Sequence, residues 1–178
     1  MLIETERLLL RPYEEGDYAD YRAYFDDPEL WRMLGYRPFR GEEDFRGDFG
    51  WRLGNPRVSA LALKETGRVV GHLCVGELDP ATLAREELRG KRCRSLSFSL
   101  HRELRRQGLM SEALRAALAE LFRSGEAELV VSGYFSFNAA SAALHRKLGF
   151  RELFRHTEER RGETVEVIET VLRPKDLT

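Results

Sequence analysis

The chain alternates between two hydrophobic patterns, one with the period of a β-strand and one with the period of an amphipathic helix. Residues 95–101 place Leu96, Phe98 and Leu100 between polar residues, which predicts a half-buried strand. Alanine, leucine and phenylalanine then recur at helical spacing, which predicts a helix that stops at Ser124-Gly125. The same two periods predict the remaining elements: strands at 2–12, 58–64, 69–75, 129–134, 150–160 and 163–172, and helices within 14–33, 41–53 and 138–148.

Turn residues separate and join these elements. Asp26-Asp27-Pro28 divides the first helical region, 65–68 closes one hairpin and Arg161-Gly162 closes another. The strand at 2–12 is predicted to lie at an edge of the sheet because it ends in proline. The charged stretch 79–94 breaks the pattern and is either a solvated loop or a segment that contacts substrate. The order of elements indicates a mixed sheet with helices on its faces, an α/β or α+β layer fold.

Length and charge restrict the kind of protein. With 178 residues the chain is expected to form a single domain spanning 1–178. Its 29 basic and 30 acidic residues give a net charge of −1, which argues against direct nucleic-acid binding. Cys74 and Cys93 form neither a CxxC motif nor a zinc spacing, so we expect no metal and a reducing, cytoplasmic location. No stretch has the length and apolarity of a membrane span, so no membrane association is expected.

The segment that joins the strand at 95–101 to the following helix carries the first candidate chemistry. The first four N–H groups of a helix lack intrahelical partners and the helix dipole is positive at this end, so together they can bind a phosphate oxygen. Taken alone, an ordinary strand-to-helix turn would explain the same pattern. The residues of this candidate anion site are Arg105, Arg106, Gln107, Gly108, Leu109, Met110 and Ser111.

Two motifs resemble those of the GNAT superfamily of N-acetyltransferases. Residues 105–110 resemble its Arg/Gln-x-x-Gly-x-Gly/Ala signature, with Met110 where the superfamily has glycine or alanine. Residues 138–150 resemble its Asn-x-x-Ser/Ala motif followed by Lys-Leu-Gly-Phe. A third segment, 3–12, resembles the opening of the Rim-type branch, which acetylates the N-terminal amine of ribosomal proteins. The resemblance implies a GNAT fold, with a twisted central mixed sheet of about six to seven strands and helices on both faces.

The same resemblance implies acetyl-CoA as cosubstrate. Its pyrophosphate would bind the turn at 105–111, and its peptide-like pantetheine arm would pair with the edge of the strand that ends at Ser99 and Leu100. A backbone N–H near Leu100 would stabilise the charge that develops on the thioester oxygen. Asn138 would orient the pantetheine arm or the departing thiol.

The general acid and the general base each have two candidate residues. Many relatives carry a tyrosine seven residues after the asparagine, and His145 occupies that position here. Rim-type enzymes that resemble this chain carry a serine at the position of Ser141, so Ser141 is the first candidate acid and His145 the second. Either could instead be an ordinary helix residue. Glu77, at the end of a central strand, is the candidate base, and His101 is a weaker one because such residues often cap a turn.

We therefore expect an enzyme that moves an acetyl group from acetyl-CoA to a primary amine by direct attack in a ternary complex, as a monomer or homodimer. The sequence leaves the acceptor open between a protein N-terminus and a small amine. A hypothesis from a different class is an acyl-CoA-binding module without catalysis. Such a module would bind CoA but release no thiol from acetyl-CoA with any amine.

Overall fold

The computed structural model describes residues 1–178, and its elements follow in an order close to the predicted one. The strands are β1 (Ile3–Glu4), β2 (Leu8–Arg11), β3 (Val58–Leu63), β4 (Val69–Gly76), β5 (Cys93–Leu100), β6 (Leu129–Phe135), β7 (Arg151–Arg160) and β8 (Glu163–Leu172). The helices are α1 (Tyr18–Phe25), α2 (Pro28–Leu34), α3 (Glu42–Arg52), α4 (Pro80–Leu83), α5 (Leu109–Arg123) and α6 (Ala139–Leu148). Short 3-10 helices occupy Glu15–Asp17, Arg102–Leu104 and Pro174–Asp176.

All eight strands form one sheet in the order β1-β2-β3-β4-β5-β6-β8-β7, which confirms the predicted mixed α/β class. The strand count exceeds the prediction because the segment 2–12 is not a single strand. The chain reverses after β1, where the Thr5 N–H donates to the Leu8 carbonyl at 2.9 Å and the Leu8 N–H donates to the Thr5 hydroxyl oxygen at 3.0 Å. β1 and β2 therefore pair antiparallel, and of the two only β1 lies at the edge.

β5 and β6 pair in parallel over three residue pairs, of which the last is Ser95 opposite Val131. The registers from β1 to β4 and from β6 through β8 to β7 are antiparallel. β5 and β6 both continue beyond their last registered pair. One residue further on, the Ser132 hydroxyl donates to the Leu96 carbonyl at 2.8 Å, so a side chain bonds β5 where the registered ladder ends.

The chain divides into two compact units. The first consists of Met1–Cys74 and Phe98–Ala113, and the second of Val75–Ser97 and Leu114–Thr178. The core of the first unit is largely aromatic, with most of its rings supplied by α1, α2 and α3: Tyr13, Tyr21, Tyr24, Phe25, Trp31, Phe45 and Phe49. The core of the second unit is mainly aliphatic and contains Leu88, Cys93, Leu129, Val131 and Val171.

The charged stretch 79–94 is anchored to the second unit. It contains α4 and then turns, and its Leu88 is fully buried in the aliphatic core. The guanidinium of Arg85 lies over the ring of Phe154, 3.4 Å from the ring centre. β5 begins at Cys93, two residues earlier than predicted, and so takes up the end of this stretch.

The predicted helix boundaries are confirmed by their caps. Asp27 accepts a hydrogen bond from the Glu29 N–H at the start of α2, and Pro28 follows as the first helical residue. Asn138 caps α6, and Gly149 ends it with a left-handed φ of +92°. None of the helices combines the length and the apolar composition needed to span a membrane.

Candidate active site

The turn between β5 and α5, in the first unit, is the candidate anion site. Two of its residues have left-handed backbone, Arg106 at φ +64° and Gly108 at φ +83°. The Glu112 N–H donates to the Gly108 carbonyl at 3.0 Å and makes the first helical bond of α5. The amides of 109–111 precede this bond and belong to the first turn of α5. The helix start on which the predicted anion site depends is therefore present, and the site itself stays a prediction.

The side chains of the first three residues of α5 point away from solvent. Leu109, Met110 and Ser111 are buried, so they point into the protein. Met110, which departs from the small residue of the signature, is 8% exposed and therefore packs inside. A Cβ at Gly108 would meet only Arg7 Nη2, at 3.4 Å. The donor set and the space at Gly108 fit a phosphate group.

The two arginines of the turn have different surroundings. Arg105 donates from Nε to the Leu100 carbonyl at 3.2 Å and from Nη2 to Asp27 Oδ2 at 3.4 Å. Its guanidinium therefore ties the end of β5 to the cap of α2. Arg106 and Gln107 are exposed. Of the two arginines, Arg106 has its side chain at the solvent-facing surface of the turn.

Thr5, Arg7 and Glu112 form a set of contacts that we call the Glu112 clamp. Glu112 Oε1 accepts from the Thr5 hydroxyl at 2.6 Å and from the Arg7 N–H at 2.8 Å, and Oε2 accepts from Arg7 Nε at 2.7 Å. Arg7 Nη1 also donates to the Gln107 carbonyl at 3.0 Å. No motif in the sequence marks the clamp, although Thr5 and Arg7 lie in the segment 3–12 that resembles the Rim-type opening. That segment therefore holds the first turn of α5 in place.

Partial burial of the Glu112 carboxylate favours its neutral form, but hydrogen bonds from Thr5 and Arg7 outweigh burial and hold its pKa below the ordinary value. A depressed folded-state pKa stabilises the protein above the unfolded pKa, and this stability is lost as pH falls through the folded value. We expect Glu112→Gln to lower the free energy of unfolding by about 1 kcal/mol at neutral pH and by progressively less below about pH 4. Urea denaturation over this pH range measures the difference.

Glu120→Gln is the matched control on the same helix. Glu120 accepts from Arg123 three residues on, at 2.8 and 2.9 Å, and the pair is largely exposed. An exposed ion pair of this kind contributes about 0.5 kcal/mol or less. Equal losses for Glu112→Gln and Glu120→Gln would mean that the clamp is no stronger than a surface ion pair.

Ser99, the penultimate residue of β5, faces the first unit. Its side chain is buried, and its hydroxyl lies 2.8 Å from His72 Nδ1. Burial, helped by the charge of Arg52, lowers the pKa of His72 well below its ordinary value, so the imidazole is neutral. The Ser99 carbonyl faces β4, where a Cβ on Gly71 would collide with it. Its side chain and its carbonyl are therefore both engaged inside the first unit.

The direction of the Leu100 N–H follows from strand geometry. The next residue, His101, donates its N–H to the Val70 carbonyl of β4 at 2.7 Å. Successive N–H groups of a strand point to opposite edges, so the Leu100 N–H points away from β4. This is the edge at which the resemblance places the pantetheine arm. His101 itself accepts at Nδ1 from the Glu103 N–H at 3.3 Å, the turn-capping role considered for it.

The second candidate group lies on α6, in the second unit. Asn138 Oδ1 accepts from the Ser141 N–H at 3.0 Å, so the asparagine caps the helix and Nδ2 is its remaining donor group. Ser141 is half-buried, whereas His145 is 2% exposed, with Nε2 2.9 Å from the Ser132 hydroxyl. Burial lowers the pKa of His145, although the hydrogen bond with the Ser141 carbonyl opposes this effect. Of the two candidate acids, Ser141 is the more exposed.

Two carboxylates of the second unit are candidate bases. Glu77 follows β4 directly and is exposed, and its carbonyl accepts the Ser95 hydroxyl at 3.2 Å. Glu169 on β8 was missed; it lies opposite Gly133, where a Cβ would come within 2.7 Å of its Oε1. Burial raises the pKa of Glu169. Its signal in the sequence is that Glu169 stands where the alternation of Val165, Val167 and Val171 along β8 would place another valine.

Comparison with known proteins identifies the family. The family model of the acetyltransferase (GNAT) domain matches residues 7–151, most of the chain. The chain therefore belongs to the GNAT acetyltransferase family, whose members carry out acetyl-CoA-dependent acetylation. No curated protein matches the sequence.

Solved structures have the same fold. The acetyltransferase (GNAT family) from Bacillus anthracis is 20% identical over 98% of this chain and 99% of that chain, with a TM-score of 0.85. The ribosomal-protein-S5-alanine acetyltransferase from Vibrio fischeri is 16% identical over 100% and 99%, with a TM-score of 0.70. RimL, a ribosomal L7/L12 alpha-N-protein acetyltransferase, is 17% identical over 97% and 94%, with a TM-score of 0.75. At these identities the likeness extends to the fold alone.

Proposed function

We propose that this protein is an N-acetyltransferase that moves the acetyl group from acetyl-CoA to a primary amine by direct attack in a ternary complex. The observation that carries the proposal is the turn between β5 and α5, whose amides open the helix and whose first turn is held by the Glu112 clamp. A pyrophosphate is the part of acetyl-CoA that these amides and the positive helix end would bind. Arg106 would add a charge-assisted hydrogen bond, and Arg105 would act indirectly by fixing the end of β5.

The chain is proposed to form one acetyltransferase domain over residues 1–178. The family match supports this, because residues 7–151 take in parts of both compact units. The elements that carry the proposed chemistry, β5, α5 and α6, begin inside the matched range.

The pantetheine arm would pair with the edge of β5 to which the Leu100 N–H points. That N–H would stabilise the negative charge that develops on the thioester oxygen during attack, an interaction worth about 3–4 kcal/mol in enzymes where one such donor has been removed. Leu100 would act through its peptide N–H. Ser99 would support this edge indirectly, because its hydroxyl is engaged with His72 and its carbonyl faces β4. Asn138 Nδ2 would orient the arm or the departing thiol.

Two protons leave an ammonium substrate during this reaction. The first goes to a carboxylate, directly or through water, so that a neutral amine can attack the thioester carbon. The C–N bond then forms, the C–S bond breaks, and the second proton reaches the thiolate through the Ser141 hydroxyl. Glu77 is the proposed base, from its position at the end of β4. Glu169 is the second candidate, because its raised pKa brings it closer to that of an effective base at neutral pH.

The acceptor is proposed to be a protein N-terminus. The likeness of 3–12 to the Rim-type opening supports this choice, as does the fold shared with two enzymes that are named for ribosomal proteins. A small primary amine is the alternative acceptor. The chain also shares its fold with a structure described as a phosphinothricin N-acetyltransferase, which is 18% identical with a TM-score of 0.68. Small amines are therefore included among the acceptors to be tested.

An acceptor panel with detection of the released thiol tests the proposal. It contains peptides that begin with alanine or serine, small amines, and the same peptides with blocked N-termini as controls. We expect thiol release with the free peptides and none with the blocked ones. Release with small amines alone would reassign the acceptor, and CoA binding without release would indicate a binding module. Absence of CoA binding in a titration would overturn the proposal.

Ser141→Ala is expected to lower kcat about 100-fold, the scale of general acid catalysis, while CoA affinity stays within about twofold of wild type. The affinity should persist because Asn138 caps α6 through the backbone N–H of residue 141, which alanine retains. Steady-state kinetics and CoA titration measure the two quantities separately.

Ser124→Ala is the control for this variant. Ser124 lies just beyond α5 and its hydroxyl donates to the Leu121 carbonyl at 3.3 Å, away from the proposed chemistry. We expect wild-type kcat for it. A Ser141→Ala enzyme that also keeps wild-type kcat would remove Ser141 from the acid role.

A further inference from the structure

His145 is a buried imidazole with partners on both ring nitrogens. Its Nδ1 lies 2.8 Å from the Ser141 carbonyl oxygen and 3.3 Å from the Ser141 hydroxyl. Its Nε2 lies 2.9 Å from the Ser132 hydroxyl, which itself donates to the Leu96 carbonyl at 2.8 Å. These contacts connect α6 through β6 to β5 within the second unit.

The number of protons restricts how these groups can be hydrogen-bonded. A carbonyl oxygen only accepts, so the 2.8 Å contact with the Ser141 carbonyl requires a hydrogen on Nδ1. A neutral imidazole carries one N–H, so Nε2 then accepts, and the donor that faces it is the Ser132 hydroxyl. The single hydroxyl hydrogen of Ser132 is therefore shared between His145 Nε2 and the Leu96 carbonyl.

The surroundings favour a neutral ring at His145. The rings of Tyr134 and Phe150 each lie 5.0 Å from the imidazole, centre to centre. Its hydrogen-bonding neighbours are Ser132 from β6 and Ser141 from its own helix, and none of these four groups is charged at neutral pH. Burial lowers the pKa of His145 and the Ser141 carbonyl only partly offsets this. The ring therefore holds one proton.

We infer that His145 is a positioning residue for Ser141, an inference that rests on the proposed function in which the Ser141 hydroxyl protonates the thiolate. Because Nδ1 donates to the backbone carbonyl, it has no lone pair to accept the Ser141 hydroxyl hydrogen. The Ser141 hydroxyl can therefore donate its hydrogen to the thiolate sulfur. The opposite tautomer would draw it onto Nδ1 and slow the reaction. The Ser141 carbonyl favours the productive tautomer because it can only accept, and it accepts from Nδ1.

In this arrangement Ser141 gives up one proton and receives one proton in each turnover. Ser141 gives its hydroxyl proton to the thiolate sulfur as the C–S bond breaks. It receives in return the proton that the acylated amine nitrogen loses. His145 keeps its own N–H throughout, so its role is to orient Ser141 and not to exchange a proton with the substrate.

Two replacements separate the contributions of the two ring nitrogens. Asparagine places an amide group near the position of Nδ1, and glutamine places one near Nε2. We expect His145→Asn to keep kcat within about threefold of wild type and His145→Gln to lose about tenfold or more, with similar CoA affinity in both. Thermal unfolding of the two variants shows whether they are equally folded. Equal kcat in the two variants would overturn the inference.

The loss of kcat in His145→Gln should also depend on the presence of the Ser141 hydroxyl. In a Ser141→Ala background there is no hydroxyl to orient, so adding His145→Gln is expected to change kcat by less than about twofold. An undiminished further loss in that background would mean that His145 supports the fold alone, and the inference would be wrong.

A spectroscopic measurement gives a readout that does not require turnover. Nitrogen-15 NMR of the His145 ring, assigned by its loss in His145→Asn, is expected to show the hydrogen on Nδ1 and none on Nε2 in wild type. A hydrogen on Nε2 in wild type would overturn the inference and leave the proposed acetyltransferase activity intact. Wild-type protein that transfers acetyl to no amine would overturn the proposed function, and the role of His145 with it.

Discussion

Gly149→Ala is expected to lower the free energy of unfolding by about 4 kcal/mol. Gly149 ends α6 at φ +92°, and a Cβ there would lie 1.8 Å from the Asp176 carbonyl oxygen and 2.8 Å from its carbon. These are backbone atoms, so the segment 174–178 must move away. The move would break the bond from Arg115 Nε to the Thr178 carbonyl, which is 2.7 Å long. Urea denaturation of wild type and variant measures the loss.

Gly125→Ala is the matched control, because it carries the same kind of backbone without the collision. Gly125 follows α5 at φ +73°, and nothing lies within 4 Å of the position its Cβ would take. Alanine at this position is expected to lower the free energy of unfolding by about 1 kcal/mol, because it must adopt the left-handed conformation. If the two substitutions cost the same, the contact between Gly149 and Asp176 is not part of the folded state.

This comparison divides the motif at 138–150 into two parts. Gly149 and the buried Phe150 support α6, Gly149 by admitting the segment 174–178 and Phe150 by packing against the ring of His145. Asn138 and Ser141 sit at the other end of the helix, where the proposed chemistry lies. The Leu-Gly-Phe part of the motif is therefore explained by packing, and the asparagine half carries the functional proposal.

Features that depend on neighbours within a few residues could be predicted from the sequence. The end of α6 at Gly149, the cap at Asn138 and the break at Asp26-Asp27-Pro28 each follow from the conformation that one residue type favours. The closing hairpin follows from the turn at Arg161-Gly162, where both residues have positive φ. The start of α5, on which the candidate anion site depends, belongs to this group, because it follows from the glycine turn and the helical period.

Features that depend on distant residues could not be predicted in the same way. The Glu112 clamp joins Thr5 and Arg7 to a residue more than a hundred positions away, and no local pattern marks Glu112 as their acceptor. The contact between Ser132 and His145 Nε2 likewise joins residues of different elements. The division of 2–12 into β1 and β2 had a local cause at Thr5, but the alternating pattern concealed it.

Gly108→Val is expected to weaken CoA binding about tenfold to 100-fold, equivalent to one or two lost charge-assisted hydrogen bonds. Gly108 has φ +83°, which a β-branched residue adopts only at a high cost, so the turn must rearrange and displace the amides of 109–111. The new side chain would also start 3.4 Å from Arg7 Nη2 and press on the Glu112 clamp. Titration calorimetry with CoA measures the affinity.

Gly67→Val controls for strain that has nothing to do with the ligand. Gly67 lies in the turn between β3 and β4 at φ +73°, with nothing within 4 Å of its Cβ position, so valine there pays a similar conformational cost. Both variants should lose stability in urea, but only Gly108→Val should lose CoA affinity. Wild-type affinity in Gly108→Val would contradict the pyrophosphate assignment. A loss in Gly67→Val as large as in Gly108→Val would attribute the effect to general destabilisation.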